Sequence, residues 1–194
     1  AETGLRPNQR AMWRTLCRKI YFDWMGWKTE ITVRPYDKCI LCVAPHTSNW
    51  DFIVAELYYT AIGRRAEFLM KREWFFWPLG LLWRRMGGIP VDRSRKTSLT
   101  DQLAERAKNA THFELAVTPE GTRSRNANWK QGFYFIALKA KLPILLYAID
   151  YRQKCITCTR EIVPSGDVDH DMALIKDYYK NFTGRHPERF AVSE

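Results

Sequence analysis

The sequence predicts an α/β layered domain: a mixed, largely parallel sheet flanked by helices, with an amphipathic helix at its N-terminal end. Two observations predict it. Short apolar runs such as Ile40-Leu-Cys-Val-Ala44 and Phe113-Glu-Leu-Ala-Val117 alternate with longer amphipathic stretches of helical period, the pattern of strand–helix–strand units. Chemically versatile side chains, among them His46, Asp51 and Arg123, then fall just past the ends of these runs, where open sheets of this class bind ligands.

The elements follow in order. Met12, Trp13, Leu16, Ile20, Trp24 and Trp27 recur at three- and four-residue steps and predict a helix over 9–28. Strands are expected near 31–34 and 39–44, a helix from Trp50 to about Ile62, a strand over Glu67–Met70 and an aromatic helical segment at 72–85. A strand near 88–92, a helix from Ser98 to Ala110, a strand over 113–118 and a helix from Gly132 to Lys141 come next. Strands at 143–150 and 154–160 and a helix from Asp169 to about Phe182 complete the layout. At 194 residues, without repeats, low-complexity tracts or a Gly/Ser linker, the chain is one domain. Its N-terminal amphipathic segment is expected over 1–30 and the globular part over 31–194. Ala1–Gly4 reads as a disordered lead-in and carries no weight. No run approaches the ~18–20 uninterrupted apolar residues of a spanning helix, and the start lacks a secretory-signal pattern, so the chain is expected not to cross a membrane.

Charge narrows the class of partner. Residues 1–100 carry 17 Lys+Arg against 9 Asp+Glu (17 − 9 = +8), and the remainder 14 against 12 (14 − 12 = +2). Such a basic half suits nucleic acid, an anionic bilayer, or acidic partners such as coenzyme A or an acyl carrier protein. Its surroundings favour the bilayer. Around the tryptophans of 9–28 stand Arg10, Arg14, Arg18, Lys19 and Lys28, the composition of a helix lying among lipid headgroups. The segment Lys71–Arg85 sets Trp74, Phe75, Phe76, Trp77 and Trp83 between two basic pairs, more apolar bulk than one helix face can bury. No nucleic-acid-binding module is present, and no nucleic-acid partner is expected.

Cys39-Ile-Leu-Cys42 and Cys155-Ile-Thr-Cys158 are nominally a four-thiolate zinc set. Each pair lies inside an apolar or β-branched run, however, and residues three apart on a strand point to opposite faces. Buried free thiols are therefore expected and no metal site. With Cys17 the count is odd, which points to a reducing compartment.

Three segments carry chemistry. His46 leaves the end of a predicted strand and Asp51 sits in the first turn of the next helix. That turn can fold the carboxylate onto one ring nitrogen and leave the other as a general base. No nucleophile lies nearby, so the attacking group must come from a substrate. Val117-Thr-Pro-Glu-Gly-Thr-Arg-Ser124 forms a tight turn after another strand, presenting backbone N–H groups, two hydroxyls and the Arg123 fork, an inventory for phosphate. In Gly87-Gly-Ile-Pro-Val-Asp-Arg93, paired glycines permit close backbone approach and Asp92-Arg93 end a short strand.

In this order, His46-x4-Asp51, Gly88-Ile-Pro-Val-Asp-Arg93, Glu120-Gly-Thr-Arg-Ser124 and Leu142-Pro-Ile-Leu145 resemble the four motif blocks of the glycerolipid acyltransferases, which include glycerol-3-phosphate and 1-acylglycerol-3-phosphate acyltransferases. The resemblance covers about Cys39 to Asp150; Pro45 stands where many members have asparagine. It implies an O-acyltransferase moving a fatty acyl group from an acyl thioester, on coenzyme A or carrier protein, to the hydroxyl of a lysophospholipid or glycerol phosphate. His46 would be the base and Asp51 its orienting carboxylate. Arg123, Thr122 and the Gly121 backbone would anchor the acceptor phosphate, with Arg93 assisting and Glu120 holding an arginine or a backbone turn. A lysine before a Pro-x-Gly turn recurs in the family, so Lys71, ahead of Pro78 and Gly80, would add positive charge. No cofactor or metal is required, because the thioester is already activated. The expected setting is peripheral, on the cytoplasmic face of a membrane rich in anionic lipid. Two alternatives stay open: a phosphate-free lyso-aminolipid acceptor, or a peripheral protein that binds anionic lipid and catalyses nothing.

Overall fold

The computed structural model describes residues 6–91 and 99–193. Among these residues the strands are β1 (Lys28–Ile31), β2 (Lys38–Ala44), β3 (Glu67–Lys71), β4 (Gly88–Val91), β5 (Phe113–Val117), β6 (Ile144–Asp150), β7 (Cys155–Cys158) and β8 (Glu161–Ile162). All eight form one sheet in the order β1-β7-β6-β2-β5-β3-β4, with β8 pairing with the start of β6. β6 pairs antiparallel with β7 and with β8; the other pairings, β1 with β7 included, are parallel. The sheet is thus mixed and largely parallel, as the alternation of elements implies.

The helices are α1 (Pro7–Arg18), α2 (Trp50–Ala61), α3 (Leu79–Met86), α4 (Leu99–Asn109), α5 (Gly132–Ala140) and α6 (Val168–Tyr179). The central strands β2 and β6 are apolar almost throughout because both faces of the sheet are covered. Alternation along β2 divides the core. Ile40, Cys42 and Ala44 face a cluster built from α4, α5 and α6. Cys39 and Leu41 face a second cluster that includes Val54, Tyr58 and Tyr59 of α2 and Tyr21. The first C-x2-C pair is thereby split between the two cores.

Four elements differ from expectation, each for a local reason. The N-terminal helix is shorter than 9–28: α1 passes into a π-helical turn over Lys19–Trp24, and Gly26, at φ +66°, turns the chain into β1. β1 lies three residues earlier than the expected strand; all four of its residues are exposed at the sheet edge, so no apolar alternation marks it. The aromatic segment is broken: a 3₁₀ turn over Arg72–Trp74 precedes Pro78, and α3 begins only after that proline. The strand expected at 154–160 ends at Cys158 as β7, and a further strand beyond it, β8, is too short to show a period.

The N-terminal helix packs against α2 with Cys17 buried, while Met12, Trp13 and Leu16 stay exposed. The two faces of this helix thus have different environments.

Candidate active site

The site is assembled at one end of three adjacent parallel strands. β2 lies between β5 and β6, with Cys42 beside Val117 and Ala44 beside Ala148. All three run in the same direction. The loops after them therefore leave the same edge of the sheet, carrying His46, the 118–124 turn and Tyr151. Carboxyl ends of parallel strands are where open α/β sheets place their ligands.

His46 is two residues past Ala44, its side chain 20% exposed, and its Nδ1 stands 3.3 Å from Oδ2 of Asp51, whose side chain is 2% exposed. Asp51 lies in the first turn of α2, and its Oδ2 also accepts the backbone N–H groups of Thr47 at 2.7 Å and Ser48 at 2.8 Å. The loop thus wraps around the carboxylate it must position. Two amide donors and the imidazole share one oxygen, which offsets the cost of burying the carboxylate. With Nδ1 turned to Asp51, Nε2 is the ring nitrogen left for a substrate, the arrangement that base catalysis needs.

Glu120 is almost fully buried, and its Oε1 accepts the backbone N–H of His46 at 2.8 Å. Burial pushes its carboxyl up to about 8, with the nearby Asp51 adding to the effect and the His46 N–H opposing it. A buried carboxyl in its neutral form adds no negative charge beside Asp51. Its backbone carbonyl accepts the Asn126 side-chain amide at 2.8 Å, which fastens the turn from behind. Gly121 follows at φ +67°, and a Cβ there would lie 3.1 Å from the Lys130 side chain, so glycine suits the position twice over.

Thr122 accepts the Ser124 N–H on its hydroxyl at 3.2 Å. Arg123 is exposed, and its guanidinium donates to the side-chain carbonyl of Asn49, immediately before α2. The structure therefore brings His46, Asp51, Glu120, Gly121, Thr122 and Arg123 together at one strand edge. Lys71 ends β3, and its side chain lies outside the described part. Arg93, with Asp92, lies outside the described residues. Among the described residues, no group of three or more His, Cys, Asp or Glu side chains is arranged to hold a metal ion.

Several neighbours of the site escaped sequence reasoning. Thr47 and Ser48 act through their backbone amides, which side-chain identity does not advertise. Asn49 belongs to the first motif block, but its partner Arg123 is 74 residues away. Tyr151, Gly184, Arg185 and His186 lie beyond the last motif and join the site only through the fold.

A search of curated proteins finds no match. Among solved structures, the 1-acyl-sn-glycerophosphate (LPA) acyltransferase PlsC from Thermotoga maritima superposes with a TM-score of 0.60 at 18% identity, covering 91% of this chain and 81% of that one. At that identity the likeness speaks for the fold. The sequence model of the Acyltransferase family matches residues 28–150, which is most of the chain and includes His46, Asp51 and the 118–124 turn. The chain belongs to the Acyltransferase family.

Proposed function

We propose that this acyltransferase moves a fatty acyl group from an acyl thioester to the hydroxyl of a lysophospholipid or glycerol-phosphate acceptor, with His46 as general base. The observation that carries the reading is the 3.3 Å approach of His46 Nδ1 to a buried carboxylate whose same oxygen is held by two backbone amides. Nε2 takes the acceptor's proton as the oxygen attacks the thioester carbonyl. The new C–O bond forms, the C–S bond breaks, and the leaving thiolate takes the proton back from the imidazolium. Asp51 holds the ring in one tautomer and stabilises its cationic form. The fold shared with a protein whose own substrate is a 1-acyl-glycerophosphate supports a phosphate-bearing acceptor. Arg123, with Thr122 and the Gly121 backbone, is the anchor proposed for that phosphate, and Lys71 and Arg93 add positive charge. Coenzyme A or acyl carrier protein is the donor's carrier.

The surface supports a peripheral membrane setting, for which the cytoplasmic face is the side proposed. Trp24 is 83% and Trp77 87% exposed, and Trp13, Trp74, Phe76, Leu81 and Leu82 are also exposed. Among the described residues no helix is long and apolar enough to cross a bilayer. Exposed indoles on a chain of net charge +10 suit the headgroup layer of an anionic membrane.

The test is release of free thiol from a long-chain acyl-CoA in the presence of lysophosphatidic acid, glycerol 3-phosphate or a lyso-aminolipid, repeated with acyl carrier protein as donor. Acceptor-dependent release with a phosphate-bearing acceptor is expected. Release only with the lyso-aminolipid moves the reading to a phosphate-free acceptor. Silence with every pair, alongside intact vesicle binding, replaces the enzyme with a lipid-binding protein.

A further inference from the structure

Asp51 is held at one oxygen and bare at the other. Oδ2 collects Thr47, Ser48 and His46, whereas Oδ1 is buried without a hydrogen-bond partner among the described residues. The hydroxyl of Tyr151 is likewise buried and completes no hydrogen bond within 3.5 Å among the described residues. Burying two polar atoms without a partner is unfavourable for each of them. The two belong to one neighbourhood: after burial, Asp51 exerts the largest influence on the Tyr151 hydroxyl, followed by Arg185. Burial and the Asp51 charge push the phenol above its ordinary range, so Tyr151 remains a protonated donor.

The backbone around Tyr151 is tied into the site from outside the four motif blocks. Its N–H donates to Thr183 O at 2.9 Å. The loop that supplies Thr183 continues across the His46 turn. A Cβ on Gly184 would sit 3.0 Å from both the Pro45 and Thr47 side chains, and the His186 N–H donates to the Thr47 hydroxyl at 3.1 Å. Arg185 lies over the Trp50 ring, 5.2 Å from its centre, at the start of α2. The Tyr151 ring itself packs edge-on against Trp27, centroids 5.1 Å apart. The phenol is therefore placed by its own backbone bond, by an aromatic neighbour and by a loop clamped onto the His46 turn.

We propose that Tyr151 is a positioning residue for the dyad: its hydroxyl donates to Oδ1 of Asp51, so that the carboxylate is gripped at both oxygens and Oδ2 stays aimed at His46. A carboxylate fastened at one oxygen swings about its terminal torsion, which is soft; fastened at both, it cannot. Arg185 and the 183–186 loop set the position of the phenol. The kinetic consequence rests on the acyl-transfer reading above; the structural one does not.

The test is Tyr151→Phe, which removes one oxygen and keeps the ring against Trp27. Two readouts are taken: steady-state acyl transfer, and the NMR resonance of the proton on His46 Nδ1, which requires no substrate. The expected result is a fall in kcat of about tenfold, the scale typical of groups that orient a functional ligand or base. KM for both substrates and Tm stay unchanged, and the His46 resonance moves. A His46 resonance that stays put overturns the proposal, whatever happens to kcat. So does an unchanged kcat in an active enzyme. A wild type that transfers nothing to any acceptor removes the acyl-transfer reading instead, and the resonance then decides alone. Should Tyr151→Phe fold poorly, the wild-type phenol proton serves: slow exchange with solvent and a cross-peak to the Asp51 methylene are expected, and fast exchange overturns the proposal.

Discussion

The carboxyl of Glu120 accepts the backbone N–H of His46 at 2.8 Å, so the turn after β5 holds the backbone from which the imidazole projects. Two motif blocks 74 residues apart in sequence are one piece of structure here. Arg123, three residues beyond Glu120 in sequence, reaches Asn49 across the site. The turn thus grips the His46–Trp50 segment at both ends, by a buried carboxyl at one and an exposed guanidinium at the other.

The first prediction concerns pH. Glu120 is raised from 4.5 to about 8 in the folded protein. Below about 4.5 both folded and unfolded chains keep the proton. As pH rises toward about 8 the unfolded chain gives it up and the folded protein does not, so the stability associated with this group is lost across that window. Glutamine retains the acceptor for His46 N–H and cannot ionise. Glu120→Gln should therefore gain Tm relative to wild type between about pH 5 and about pH 9. A difference in Tm that is flat with pH would sink the assignment.

His46→Ala should lower kcat/KM for acyl transfer by about a thousandfold, within the range general-base removal produces. The side chain is partly exposed, so Tm should change little. Thiol-release kinetics and a thermal melt check both halves. Retained transfer removes the base from the scheme.

Arg123→Ala should raise KM for a phosphate-bearing acceptor about tenfold and leave kcat within about twofold, the pattern of a lost binding contact. Its side chain is exposed, and its partner Asn49 is exposed too, so stability is not the issue. The comparison is acceptor titration with lysophosphatidic acid and with a lyso-aminolipid; an equal effect on both would separate Arg123 from the phosphate.

Much of the site was legible because its chemistry is local. His46 and Asp51 fall within one turn of chain, between a strand with a continuous apolar run and a helix with an amphipathic one. The 118–124 turn carries its own punctuation in Pro119 and Gly121. The order of the layers was legible too, since buried strands and half-buried helices have different periods. What was not legible lacks a period or a neighbour. β1 has no apolar alternation because it is an exposed edge. β8 is two residues long. Pro78 was visible, but aromatic bulk on both sides masked the break it makes between Trp74 and Leu79. Tyr151 meets the dyad only because β6 pairs with β2, a fact of topology with no local trace.

The thiols give a fourth prediction. All five cysteines are free and buried, and burial pushes Cys39, Cys42 and Cys158 each to about 12. At about pH 8 a disulfide reagent such as 5,5′-dithiobis(2-nitrobenzoate) should titrate none of them in the folded protein and all five after unfolding, because the thiolate is the reactive form. Rapid reaction of any thiol in the native state contradicts the burial described.

A fifth concerns the membrane. Trp13, Trp24 and Trp77 are 51%, 83% and 87% exposed. Replacing all three with alanine should weaken binding to vesicles containing anionic lipid by more than about tenfold, since each indole withdrawn from water is worth on the order of 1–2 kcal/mol. Tm should hold. Unchanged partition in a flotation assay would leave these side chains without the proposed role.

The close approach of Gly184 to Pro45 and Thr47 also bears on how the molecule can be cut. A fragment trimmed to the family-matched residues 28–150 would keep both His46 and Asp51 yet lose the outer wall that presses on the loop between them. The boundary of shared ancestry and the boundary of mechanical integrity do not coincide in this chain. Chimaeras that exchange the catalytic segment with a relative are expected to need residues 151–186 from the same parent, because that stretch and the His46 turn fit each other as a matched pair.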